Sequence, residues 1–109
     1  MSRKVAPCRD CRAETLSQEP GVPTEYYMVR DRVWWLARGP ARGFLCIGCL
    51  EVRLGRQLHR GDFEPIPIND PNCHRPDKAW WHRSERLRDR LTAPSPQDGV
   101  QLTLFGAAP

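Results

Sequence analysis

Cys8-Arg9-Asp10-Cys11 and Cys46-Ile47-Gly48-Cys49 repeat one spacing, C-x2-C, and this pair of segments decides how the chain is read. Thiolates hold Zn²⁺ at about 2.3 Å in a tetrahedron, and a C-x2-C turn offers two sulfurs to one metal while its backbone N–H groups point back at them. Two such knuckles complete one sphere. The spacing therefore predicts a structural site of Cys8, Cys11, Cys46 and Cys49 holding one Zn²⁺ per chain. Four thiolates also suit iron, and the sequence does not separate the two metals. Redox use of C-x2-C is a competing reading, but no βαβ pattern surrounds either motif. Residues 12–45 make the gap longer than the about 15–20 residues usual between structural zinc pairs, so the intervening segment should carry structure of its own.

A chain of 109 residues buries a modest share of its surface and needs help from a metal or a partner. Structural zinc supplies about 10–16 kcal/mol in small metal-dependent domains, against a usual net stability of about 5–15 kcal/mol. The expectation is a zinc-dependent domain over residues 1–92 and a flexible tail over 93–109. No apolar stretch reaches the about 18 residues that span a bilayer, and Met1-Ser2-Arg3-Lys4 leads into no apolar signal core, so a soluble, cytoplasmic protein without a membrane partner is expected. Five cysteines, an odd number in metal spacing, fit a reducing compartment better than a disulfide framework, and Cys73 is left over.

Between the knuckles, residues 17–23 are too rich in proline and glycine for a helix. Tyr26-Tyr27-Met28-Val29 is β-prone, and Asp31 is placed to cap a brief helix through Arg38, ended by Gly39-Pro40; a hairpin using Val33-Trp34-Trp35-Leu36 competes with it. Phe44 and Leu45 read as a strand entering the second knuckle. Leu50, Leu54 and Leu58 recur at helical spacing, with Gly61 as the stop. A proline-rich connector over 62–76 should lie extended. A second amphipathic helix over about 77–92 follows, with Asp77 as its cap and Trp80, Ser84, Leu87 and Leu91 as its packing face.

The net charge of +4 rests mostly on arginine, which is suited to bidentate phosphate contacts, although a solvated basic surface explains the charge equally well. Arg53, Arg56 and Arg60 on the first helix, and Lys78, Arg83, Arg86 and Arg90 on the second, are the candidate contacts to nucleic-acid phosphate, DNA being the tentative partner. Trp34-Trp35 and Trp80-Trp81 could stack on unpaired bases; core packing is the simpler account, with one ring of each pair facing inward. Cys73, His74, His82 and His59 carry metal-donor atoms, but their spacing fits no common cage.

A knuckle, a β-containing segment and a second knuckle opening a helix resemble the treble-clef class of zinc fingers over residues 8 to about 60. The fold class that follows is small α+β: a treble-clef-like zinc finger with two amphipathic helices and a disordered C-terminal tail. That class includes nucleic-acid binders, protein-binding modules and HNH nucleases, so the fold alone leaves function open. HNH enzymes need a general-base histidine between the knuckles and commonly a metal-binding histidine on the following helix. Here no histidine lies between Cys11 and Cys46, and Leu50 follows Cys49, which argues against nuclease activity.

Gln101-Leu102-Thr103-Leu104-Phe105 resembles the QLxLF peptide with which bacterial polymerases and repair proteins dock on the sliding clamp. The resemblance implies Gln101 at the pocket rim, Leu102 as a secondary anchor, and Leu104 with Phe105 in the pocket. An edge strand added to the domain is the other reading of so short an apolar run. The stretch from Leu45 to Glu51, with Leu54-Gly55-Arg56 and Asp62-Phe63, is similar to small uncharacterised zinc proteins of high-GC bacteria and their phages. Together these features predict a non-enzymatic, DNA-associated accessory or adaptor; a protein-binding or self-associating module is the alternative.

Overall fold

The Arg30-Asp31 step sends an extended chain into the first helix, which is closed by a residue in a conformation usually left to glycine. α1 spans Asp31–Leu36 in the computed structural model, which describes residues 6–17, 19 and 21–96. At its end the Gly39 N–H reaches the Trp34 carbonyl at 2.9 Å and the Arg38 N–H the Trp35 carbonyl at 3.0 Å, a Schellman closure with Arg38 at φ 55°. The expected brief helix is therefore present, but Asp31 lies inside it, and Arg30 occupies the cap without a side-chain capping bond, its Nε–H donating instead to the Gly61 carbonyl at 3.0 Å. Val33 is buried and Trp34 packs on the core, whereas Trp35 is 76% exposed.

α2 spans Ile47–Leu54 and begins directly at Cys46. It stops earlier than the leucine spacing predicts, because Gly55 turns left-handed at φ 83° and its N–H closes on the Glu51 carbonyl at 2.8 Å. Leu58 is still buried, delivered by a turn in which its N–H donates to the Glu51 carboxylate at 2.8 Å. The connector expected to be extended instead contains 3₁₀ turns at Arg60–Asp62 and Pro67–Asn69. Buried Asn69 ties it down, donating to the carbonyls of Met28 and Glu64 and accepting from the Met28 N–H.

α3 spans Glu85–Thr92, so the predicted second helix starts eight residues late. Asp77 does not cap it: that carboxylate pairs with Arg75 at 3.5 Å, and Ala79–Trp81 form a separate 3₁₀ turn. Ser84 is the cap, its hydroxyl accepting from the Leu87 N–H at 3.0 Å.

Among the described residues no extended ladder forms, only isolated bridges: Pro7 with Glu14, Cys8 with Phe44, Thr24 with Arg83 and Val29 with Phe63. The β-prone run at 26–29 is thus one bridge residue deep, and Phe44 supplies a single bridge where a strand is expected. Among the described residues between the knuckles no hairpin of the treble-clef kind forms, and the regular element there is α1. The core gathers Tyr27, Val33, Leu45, Ile47, Leu50, Phe63, Leu87 and Leu91, and the Tyr27 hydroxyl is satisfied by the Leu45 carbonyl at 2.7 Å. No helix among the described residues is long and apolar enough to cross a membrane. The tail peptide Gln101–Phe105 lies outside the described residues.

Candidate metal centre

The first knuckle is a tight turn locked by its own backbone. The Arg12 N–H donates to the Cys8 carbonyl at 2.9 Å and the Cys8 N–H to the Ala13 carbonyl at 2.8 Å, with Arg12 left-handed at φ 69°. The Arg9 N–H then reaches the Phe44 carbonyl at 2.8 Å, which fastens this knuckle beside the chain entering the second one. There Cys46 caps α2 and Cys49 stands one turn inside it.

The result is a single cluster: the sulfurs of Cys8, Cys11, Cys46 and Cys49 all lie within 4.8 Å of one another. Cys11 and Cys46 are 3.8 Å apart, Sγ to Sγ. A tetrahedron with arms of about 2.3 Å has edges of about 3.8 Å, so the donor set fits four-thiolate zinc. Cys8 and Cys46 are buried, Cys49 is half-buried and Cys11 exposed, leaving one side open for a metal to enter. Among the described residues no other group of three or more metal donors converges, so Cys73, His74, His82 and His59 do not assemble a second cage.

The electrostatics ask for a cation. Burial opposes ionisation of Cys8, but the N–H groups of Cys11, Cys46 and Asp10 and the Cys49 thiol outweigh it and bring its pKa down to about 6. Cys46 and Cys49 are pushed the other way, first by burial; the neighbouring sulfurs add to this at Cys49, whereas at Cys46 Cys49 opposes it and Cys11 and Cys8 add to it. Without a metal the cluster cannot carry four negative charges; a divalent ion makes them compatible.

Two of the seven candidate phosphate contacts turn inward to this centre. Arg53 holds Asp10, inside the first knuckle, through a bidentate pair at 2.8 and 2.7 Å, and it also donates to the Arg38 carbonyl. Asp10 stabilises the Arg53 cation first, with help from the charges of Cys8 and Cys49. Arg86 forms a bidentate pair with Glu25 at 2.8 and 2.7 Å, and its cation is favoured by Glu25 and also by Cys46. Gly48 makes room for it, since a Cβ there would stand 2.7 Å from the Arg86 Nη1. A four-thiolate zinc centre carries a net charge of −2, and two adjoining guanidinium groups offset it.

The remaining candidates are placed as follows. Arg56 pairs with Asp62 at 2.8 and 2.9 Å, and Arg90 holds Glu51 at 2.7 and 3.2 Å and also Asp89 at 2.6 Å. Arg83 is buried. Lys78 is exposed, 4.0 Å from Asp77, and Arg60 is exposed with its N–H on the Ala93 carbonyl at 3.0 Å.

Sequence reasoning missed Glu25. One carboxylate oxygen accepts from the Ile47 N–H at 3.0 Å, at the first turn of α2, and the other accepts from the Ser84 hydroxyl at 2.9 Å, at the cap of α3. It therefore joins the starts of two helices directly behind the second knuckle. The β-prone run expected at 26–29 begins one residue after it, so no pattern in the sequence marks Glu25. No family model, curated protein or solved structure matches the chain. The metal assignment stands on the donor geometry.

Proposed function

We propose that the protein is a non-enzymatic adaptor in which a structural zinc site holds two short helices in place so that α1 can engage another protein. The observation that carries this reading is the contrast between the charged and apolar surfaces. Most of the candidate phosphate-binding arginines are bound to carboxylates of the same chain, whereas Trp35 and Leu36 on α1 are 76% and 53% exposed. Arg32 and Arg38 flank those side chains and have no ion pair among the described residues. The partner chemistry that fits is an apolar segment with acidic flanks, whose aromatic anchor would be Trp35.

Peptides selected for binding to the immobilised zinc-loaded protein should be apolar with acidic flanks, and Trp35→Ala should weaken them at least tenfold. Peptides that bind Trp35→Ala unchanged would remove α1 from the reading. The tail gives the adaptor its second contact: Gln101, Leu102, Leu104 and Phe105 match the clamp-docking peptide in sequence. Burial of such anchors at the end of a tether supports micromolar affinity that avidity can raise. Leu104→Ala with Phe105→Ala should abolish clamp binding in a pull-down with purified clamp, and undiminished binding would discard that contact.

DNA association is the second reading, supported by cations that keep no tight partner: Lys78, and Arg42 and Arg88, which are exposed with no ion pair among the described residues. Phosphate contacts make affinity fall steeply with salt, so binding to a DNA duplex that is insensitive between about 50 and 200 mM salt would exclude it.

A further inference from the structure

Arg83 is the only buried arginine among the described residues, at 6% exposure, and no carboxylate lies within ion-pair distance of it there. Its Nη2 donates to the carbonyls of Ile68 and Asp70 at 3.0 and 2.9 Å, and its Cζ sits 5.5 Å from the centre of the Trp80 ring. The Nε–H is buried with no acceptor among the described residues. A guanidinium taken out of water with a donor unused is costly unless an anion completes it.

The place for that anion is a cleft of about 380 Å³ that Arg83 lines together with Arg88, Trp81, His82, Pro71 and the turn at 21–23. Arg88 lines the same space; burial chiefly opposes the Arg83 cation and Arg88 adds to that, while Cys73 and Asp70 favour it. Two cations lining one cleft, with the His82 ring beside them, offer a favourable place to an anion set between them. Guanidinium pairs favour the tetrahedral oxygens of phosphate, and the indole beside them offers a surface for an attached ring. The Trp81 ring is held by its Nε1–H on the Cys73 carbonyl at 2.6 Å.

We propose that this cleft binds a phosphate group carried on an organic ester, the phosphate between Arg83 and Arg88 and the ester group against Trp81. The site is separate from the metal centre and independent of the α1 surface.

The test follows tryptophan fluorescence and amide chemical shifts of the zinc-loaded protein in buffer free of phosphate and sulfate. Inorganic phosphate, a nucleoside monophosphate and a short single-stranded oligothymidylate are titrated in turn. Saturable binding of the nucleotide or the oligonucleotide at least tenfold tighter than inorganic phosphate, with shifts at 21–23 and 81–88, is the expected result. Arg88→Ala, an exposed change on α3, should weaken it tenfold or more. A response to the nucleotide alone identifies a small phosphate ester, and a response to the oligonucleotide alone places the phosphate in a nucleic-acid strand. Absence of saturable binding by any probe, or equal binding by Arg88→Ala, overturns the proposal. Arg83→Lys, which keeps the charge and loses the fork, should weaken binding as well; if that variant does not fold, Arg88→Ala still decides.

Discussion

One Glu25 carboxylate satisfies the Ile47 N–H, the Ser84 hydroxyl and two Arg86 donors. Despite burial, Arg86, Ser84 and the Ile47 N–H hold its pKa below the ordinary glutamate range. Asp62 is likewise held low despite burial, by Arg56 and the His59 N–H. A carboxylate whose folded pKa is depressed adds stability that is present above its unfolded value, about 4, and is lost as pH falls through the folded one. The melting temperature should therefore fall as pH drops toward and below about 4, in addition to the loss caused by zinc release as the thiolates protonate, and Glu25→Gln should lessen the carboxylate share of that dependence while costing about 1–3 kcal/mol at neutral pH. An unchanged acid limb in the variant would show that the contacts are not formed. Arg38 offers the opposite case: its left-handed φ of 55° costs a non-glycine residue about 1–2 kcal/mol, so Arg38→Gly should raise the midpoint of urea unfolding. At this scale the four clustered cysteines were legible because spacing alone encodes them. Glu25, Glu51 and Asp62 were not, because an acid's partners lie far along the chain and leave no local pattern.

Elements were legible in kind and misjudged in length. Leucine spacing suggests one helix from the second knuckle to Gly61, yet Gly55 ends α2, and the Glu51 carboxylate takes the Leu58 N–H so that the chain turns without leaving that donor unsatisfied. Asp77 carries the signature of a helix cap, but its carboxylate is drawn to Arg75, and the 3₁₀ turn at Ala79–Trp81 ends before α3 starts. Ser84, read as a packing position, is the residue that begins α3 because it both accepts from Leu87 and donates to Glu25. Ser84→Ala should cost about 1 kcal/mol in chemical unfolding, more than a typical surface change. A loss below about 0.3 kcal/mol would mean that the cap is not what sets the start of α3. The expected β-containing segment reduces to single bridges, since residues 24–29 pair with three different parts of the chain rather than with one partner strand.

At the scale of the whole molecule, the short helices and isolated bridges supply little cooperative backbone structure, and the cysteine cluster joins residues 8–11 to 46–49 with only the Cys8–Phe44 bridge and the Arg53–Asp10 pair beside it among the contacts described above. Neither helix pair nor sheet would hold those segments together alone, so folding and metal binding should be one event. Cys46→Ser removes a buried ligand at the start of α2 and should abolish both the bound metal and the cooperative melt; retained cooperative folding would refute a structural role for the site. The decisive measurement is metal analysis of the purified protein together with its thermal unfolding before and after chelation. One zinc per chain and loss of the unfolding transition on chelation is the predicted result. A metal-free protein with an unchanged melt would contradict the claim that zinc organises this fold.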